Sequence, residues 1–170
     1  MKLYLLRHGD AGEPGDPRYK DHERPLTPKG IQRTRQLAHA LRQMEISFDA
    51  ILSSPLTRAK QTAEIVARGL KLEDKLQLTE HLALSGSMQK LVELINMLRP
   101  VRESVLLSGH EPYLSGLISL LCVGGPNLPV KMKKGALCRL DVDALSCGRC
   151  ATLEWLVQPR LWGSKLPKAE

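Results

Sequence analysis

The chain has 170 residues, a length that suits a single domain over residues 1–170 with its own hydrophobic core. Hydrophobic residues make up 42% and charged residues 25%, as in ordinary globular proteins, and aromatic residues only 4%, so we expect an aliphatic core. The net charge of +7 is scattered, without a long basic block or a patch of basic and aromatic residues, which argues against a nucleic-acid partner.

Secretion and membrane insertion are also disfavoured. The apolar run from Leu3 to Leu6 is too short for a signal peptide, and no apolar run is long enough to cross a bilayer. We therefore expect a cytoplasmic protein without membrane contacts and with reduced cysteines. Cys147 and Cys150 have the spacing of half a zinc site or of a redox pair. Because no second pair and no nearby histidine completes such a site, a surface turn is the better interpretation.

The pattern of apolar residues predicts strands that alternate with helices. Strands are predicted over residues 2–7, 48–53, 75–78, 104–108, 136–142 and 152–157. Helices are predicted to begin at Pro28 (with Thr27 as N-cap), after Pro55, after Ser87 and at Pro112. This order is typical of a three-layer α/β fold, with helices on both faces of a mostly parallel central sheet and the last two strands as an edge hairpin. From residue 159 onward we expect an irregular tail, with Trp162 docked on the body.

Three of the predicted strands end in residues that suit a phosphate site. The first ends in Arg7-His8-Gly9, the second leads to Arg58 in the first turn of the next helix, and another ends at His110. Open parallel sheets bind ligands beyond the carboxyl ends of their strands. The sequence therefore predicts two histidines and two arginines on one rim of the sheet.

This combination suits phosphoryl transfer, in which a protein acts by positioning and by fixed positive charge. A neutral His8 can attack phosphorus through a ring nitrogen, and nearby arginines favour the neutral form because cations lower the pKa of a histidine. His110 can donate to phosphoryl oxygens, and the backbone amide of Gly9 is a further donor. The remaining histidines, which are interpreted as surface residues, are His22, His39 and His81.

Residues 3–9, 53–63 and 108–112 together resemble the histidine phosphatase superfamily, which includes the cofactor-dependent phosphoglycerate mutases. Residues 7–11 and 24–30 resemble most the short SixA-type phosphohistidine phosphatases within it. The resemblance implies a phosphoglycerate mutase-like fold, a phosphohistidine intermediate on His8, and neither a metal nor another cofactor. The residues implied to hold the phosphoryl group are Arg7, Arg58 and His110, with Arg24 as a further contact.

The proton donor to the leaving group has several candidates. In the wider family a carboxylate from a loop after the second helix supplies the proton, and Glu80 stands at the matching place, although the mutase-like continuation Gly-x-Trp-Glu-Gly is missing. Asp10 and Glu111 are alternatives, and Glu80 can also be a surface residue. A phosphohistidine substrate relaxes the need for an acid, because its P–N bond is labile.

The connections over residues 10–26 and 70–86 are too short to build a large lid domain. An open rim favours a phosphohistidine displayed by a signalling or carrier protein as the substrate. The alternative is a small phosphorylated metabolite, whereas a mutase is disfavoured because it must shield its intermediate from water. A hypothesis of another class, a catalytically silent phosphate-binding module, is opposed by the intact set of His8, Arg7, Arg58 and His110. No heptad repeat indicates an oligomer, so a monomer is the default.

Overall fold

The structure, a computed structural model, describes residues 1–162. Its strands are β1 (Lys2–Arg7), β2 (Ala50–Ser53), β3 (Leu76–Leu78), β4 (Ser104–Gly109), β5 (Leu137–Val142) and β6 (Ala151–Val157). Its α-helices are α1 (Pro28–Gln43), α2 (Thr57–Leu70), α3 (Met88–Met97) and α4 (Tyr113–Val123). Short 3-10 turns cover Asp21–Glu23, Glu73–Lys75, Glu80–Leu82 and Pro159–Leu161. Every predicted strand and helix is thus present.

The six strands form one sheet in the order β3-β2-β4-β1-β5-β6. The first four of these neighbours are parallel, whereas β5 runs antiparallel to β1 and β6 antiparallel to β5. The predicted mostly parallel sheet with an edge hairpin is therefore confirmed. Because β2, β4 and β1 are parallel neighbours, their carboxyl ends share one rim.

Helices α1 and α3 begin where the side chain of the N-cap residue accepts from one of the first backbone amides. The predicted cap Thr27 accepts a hydrogen bond from the amide of Gly30 at 3.0 Å, and Ser87 accepts one from the amide of Lys90 at 3.3 Å. Strand β2 begins at Ala50, later than predicted. Just before it, the Asp49 carboxylate accepts from the backbone amides at residues 103 and 104, both at 2.9 Å. A side-chain acceptor thus serves these two amides, and the regular pairing of β2 with β4 starts at Ala50.

The core has two parts, one on each face of the sheet, because side chains alternate along β1. Leu3 and Leu5 face α3 and α4, whereas Tyr4 and Leu6 face α1 and α2. Trp162 packs against the second part, as predicted, and residues 163–170 of the predicted tail lie outside the described residues. Within residues 1–162, no helix is both long and apolar enough to span a membrane.

Candidate active site

His8 and His110 lie side by side because they follow neighbouring strands. Arg7 of β1 is in register with Gly109 of β4, so the next residue of each strand enters the same rim. The ring centroids are 5.2 Å apart, and the two residues are 5% and 1% exposed. The structure therefore brings the two predicted histidines together in a buried position.

The contacts of His8 fix which ring nitrogen carries the proton. Its Nδ1 lies 2.7 Å from the carbonyl oxygen of Gly9, and a carbonyl can only accept, so Nδ1 is the donor and Nε2 keeps a free lone pair. Burial, with smaller contributions from the charges of His110, Arg58 and Arg7, lowers the pKa of His8 to about 3, although the bond to Gly9 opposes this shift. His8 is thus neutral at physiological pH, as a nucleophile requires.

His110 is also held neutral. Burial, followed by the charge of Arg58, lowers its pKa to about 4, against the opposing effect of Asp21. Its Nε2 lies 2.8 Å from the hydroxyl of Ser54, which follows β2. When that hydroxyl donates to Nε2, the ring proton is on Nδ1, which is buried and has no partner within residues 1–162. His110 can then donate this proton to a ligand oxygen.

Two predicted arginines also have buried donors without a protein acceptor. The Nε atoms of Arg7 and Arg58 find no partner within the described chain. The Nη1 of Arg7 donates to the carbonyl oxygen of Met132 at 2.7 Å, which holds the guanidinium at the rim. An unpaired buried donor costs about 1–3 kcal/mol, so these N–H groups favour an anionic acceptor from outside the chain.

Asp21 is a site residue that the sequence reasoning missed. Its carboxylate lies 3.0 Å from Nη2 of Arg24 and 3.2 Å from Nη2 of Arg58, and its carbonyl oxygen accepts from Nη1 of Arg58 at 2.8 Å. Burial raises the pKa of the Asp21 carboxyl, but the contacts with both arginines outweigh it and bring the pKa below its ordinary value. The spacing of Asp21 and Arg24 hinted at the first contact, whereas the second depends on how the loop folds over α2.

Arg24 is buried, and its described contacts are with the loop rather than with the rim. Its Nη1 donates to the carbonyl oxygens of Ala11 at 2.9 Å and Gly12 at 3.1 Å. Together with the ion pair to Asp21, these bonds fasten the loop that follows β1. Arg24 therefore organises this loop, and its direct contact with phosphate stays a prediction.

The prediction for the Gly9 amide needs correction. This amide donates to the hydroxyl of Thr62 in α2 at 3.0 Å, so it is already paired inside the protein. A Cβ at Gly9 would lie 2.9 Å from the Oγ1 of Thr34, which shows that the glycine allows α1 to pack closely on the end of β1. Its position serves helix packing, and its N–H does not face the rim as a free donor.

The carboxylate candidates for the proton donor differ in their contacts. Asp10 accepts from the hydroxyl of Thr27 at 2.9 Å, and Glu111 accepts from the amide of Ser115 at 3.0 Å, so both are engaged at helix starts. Glu80 is exposed, directly after β3, and its carboxylate has no hydrogen bond or ion pair within residues 1–162. Glu80 is thus the candidate whose carboxylate has no structural task among the described contacts.

The other predicted polar residues lie where their surroundings give no site. His22 and His39 are exposed, as predicted, whereas His81 is half-buried. Cys147 is exposed and Cys150 half-buried in the connection between β5 and β6, and both are free thiols. Within the described residues, no group of three or more histidine, cysteine or acidic side chains is arranged to hold a metal ion.

Comparisons with known proteins agree with this geometry. The model of the histidine phosphatase superfamily (branch 1) matches residues 3–85. An uncharacterized protein of Picosynechococcus sp. is 36% identical over 145 residues, which cover 85% of this chain and 87% of that protein. Phosphohistidine phosphatase SixA of Escherichia coli is 28% identical over 160 residues, 94% of each protein.

A solved structure supports the same assignment. The protein histidine phosphatase SixA complexed with tungstate matches with a TM-score of 0.81 at 28% identity, over 95% of this chain and 99% of that one. This match confirms the predicted fold class and supports a phosphatase activity. With its Arg7-His8-Gly9 rim and these matches, the chain belongs to the histidine phosphatase superfamily.

Proposed function

We propose that the chain is a phosphohistidine phosphatase that works through a covalent intermediate on His8. The observation that carries the proposal is the hydrogen bond from Nδ1 of His8 to the carbonyl of Gly9, which leaves Nε2 of this buried residue unprotonated and able to act as the nucleophile. In the first step, the lone pair of Nε2 forms a bond to phosphorus, and the bond from phosphorus to the leaving group breaks with its electron pair. In the second step, water attacks phosphorus, the N–P bond breaks, and phosphate leaves.

The surrounding cations stabilise the charge that develops on the phosphoryl oxygens. Arg7 and Arg58 supply guanidinium N–H groups, and His110 donates from Nδ1 as a neutral ring. Asp21 positions Arg58 through two contacts to one guanidinium. Fixed donors of this kind need no reorganisation during the reaction, which makes them effective in stabilising developing charge. Glu80 is our proposed proton donor, because a carboxylate without a structural partner is free to reach a leaving group.

A phosphorylated protein is the proposed substrate. The similarity to SixA supports this choice. So does the form of the two connections near the rim, whose regular structure is limited to the three-residue strand β3 and the short 3-10 turns at Asp21–Glu23, Glu73–Lys75 and Glu80–Leu82. Loops of this size leave the rim open to a side chain on another protein. The competing candidate for the substrate is a small phosphorylated metabolite, for which the enzyme would recognise a small molecule instead of a protein surface.

A trapping experiment tests the mechanism. The wild-type protein is mixed with acetyl phosphate or with a phosphohistidine-bearing carrier protein, quenched within milliseconds, and separated from the carrier. It is then assayed for phosphate bound to the phosphatase itself that is labile to acid and stable to alkali. We expect a labelled wild type and a matched control His39→Asn with the same label, because His39 is exposed. His8→Asn should retain no label and no turnover. Full turnover by His8→Asn would overturn the mechanism, and a strong preference for sugar phosphates would favour the metabolite candidate.

A further inference from the structure

A second charged cavity lies next to the candidate active site. The end of β1, the start of α1 and the turn before β5 enclose about 380 Å³ beside Arg7. We call this space the basic pocket. Besides Arg7 and the carboxylate of Asp10, its charged lining side chains are Lys29, Arg33, Lys133 and Lys134. Five cations therefore surround this space with one carboxylate.

Most of the positive charge in the basic pocket has no counterion in the described chain. Lys134 is compensated, since its Nζ lies 3.5 Å from Asp10 and 3.6 Å from Glu13. Lys29, Arg33 and Lys133 are exposed, and within residues 1–162 their side chains form no ion pair and no hydrogen bond. A concave surface with charge of one sign concentrates ligands of the opposite sign.

The start of α1 is an unfavourable place for the positive charge that this pocket contains. Lys29 and Arg33 lie in the first two turns of α1, and the first turn contains no acidic residue. The helix dipole places partial positive charge at this end, so a cation in the first turn such as Lys29 destabilises the helix, and Arg33 one turn later adds positive charge to the same side. Local rules of this kind are broken mainly at functional sites. An anion bound in the basic pocket removes the conflict.

Both walls of the basic pocket are fastened to the segment that carries His8. The amide of Gly135, which has a φ of +83° suited to glycine, donates to the carbonyl oxygens of Arg7 at 3.1 Å and His8 at 2.9 Å. The turn with Lys133 and Lys134 is thereby anchored. On the other side, the amide of Thr27 donates to the carbonyl oxygen of Asp10 at 2.9 Å, immediately before α1. The basic pocket is thus at a fixed distance from the nucleophile.

We infer that the basic pocket binds aspartate or glutamate side chains that flank the phosphohistidine on the substrate protein. The inference rests on the proposed function and adds its determinant of specificity. Lys29, Arg33 and Lys133 are the exposed cations without a counterion, and two of them are lysines, which suits carboxylates on a protein surface that docks from solvent. A second phosphate of a small metabolite is better matched by buried arginines, whose planar guanidinium makes paired bonds to phosphate.

An experiment that removes charge from the enzyme and from the substrate tests this inference. The triple variant Lys29→Ala, Arg33→Ala, Lys133→Ala is compared with the wild type on a carrier protein whose phosphohistidine is flanked by carboxylates. The same carrier with those carboxylates changed to amides, and N-phosphoimidazole, which has no second anion, serve as reference substrates. The triple variant should lose about tenfold in kcat/KM on the acidic carrier, with a shallower dependence on salt, because charges at a docking surface act mainly on association. The loss should be at least fivefold smaller, as an order-of-magnitude estimate, on both reference substrates.

A matched control removes the same charge elsewhere. Arg35, Arg42 and Arg68 line a separate cavity of about 300 Å³ between α1 and α2, and their replacement by alanine should leave kcat/KM on the acidic carrier near the wild-type value. An equal loss in this control would overturn the inference in favour of net charge alone. An equal loss of the first triple variant on all substrates, or a loss confined to a bisphosphorylated sugar, would also overturn it. A wild type that dephosphorylates neither the carrier nor N-phosphoimidazole would refute the proposed function itself.

Discussion

His8, His110 and Arg58 are each at most 5% exposed, whereas the neighbouring Lys29, Arg33 and Lys133 lie in solvent. The two regions are fastened to the same end of β1, yet their charges act under different conditions. Burial fixes the rotamers, excludes water and shifts the pKa values in the first region, while salt and solvent screen the second. The difference separates two tasks. Buried groups can stabilise a transition state, and exposed groups can select the molecule that reaches it.

The largest change in activity that would sharpen this comparison is expected when Arg58 in the buried region is replaced. Its guanidinium contacts Asp21 twice, and its buried Nε has no partner within residues 1–162, so Arg58→Ala removes the charge and the anchored geometry together. We expect kcat/KM for acetyl phosphate to fall about 10²–10³-fold, with little dependence on salt, as for a lost transition-state donor. Arg58→Lys should recover only part of this loss, because an ammonium cannot keep both contacts.

The control for this measurement is Arg68→Ala, which removes an exposed arginine from the last turn of the same helix. Kinetics at low and high salt, with circular dichroism to establish folding, separate the two variants. A loss below about threefold for Arg58→Ala would show that this buried arginine is structural rather than part of the phosphate site.

A smaller effect is expected for Glu80, which is exposed although we propose that it takes part in the chemistry. Glu80→Gln should lower kcat/KM for an alkyl phosphate about 10²-fold, because an alkoxide is a poor leaving group without a proton. Acetyl phosphate and phosphohistidine have better leaving groups, so their turnover should change little. Glu73→Gln, at another exposed glutamate before β3, is the control. A uniform effect on all substrates would argue against proton donation, and Asp10→Asn and Glu111→Gln would then be measured.

Much of the buried site was predictable because it follows strand ends. Arg7, His8 and His110 lie at or just after the ends of strands with apolar runs, and parallel strands deliver such residues to one rim. Asp21 was not predictable in this way, since its loop has no apolar period and its contact with Arg58 joins residues 37 positions apart. The pairing of the Gly9 amide with Thr62 in α2 likewise depends on helix packing, which the sequence pattern does not specify.

The basic pocket is only partly predictable from the sequence. Lys131, Lys133 and Lys134 lie close together in the sequence, but a cluster in sequence does not indicate which side chains have a counterion. Only the structure pairs Lys134 with Asp10 and places Lys133 opposite the start of α1. Buried and exposed parts of a site therefore differ in how far sequence periodicity predicts them, because periodicity reports burial and not electrostatic partnership.

The smallest expected effect concerns the pH dependence of stability. An unfolded histidine has a pKa near 6.5, whereas His8 and His110 in the folded protein have pKa values of about 3 and about 4. Between pH 6.5 and 4 the unfolded state therefore binds more protons, so the free energy of unfolding falls as the pH falls. Each histidine contributes a slope of up to about 1.4 kcal/mol per pH unit in this window.

Urea denaturation at pH 7 and pH 5 should show a smaller loss of stability for His8→Asn and His110→Asn than for the wild type. The His39→Asn variant should follow the wild type, because His39 is exposed and lies away from the two rim histidines. Parallel pH profiles for all four proteins would contradict the neutral, buried state of the two rim histidines, and with it the contrast between the two regions.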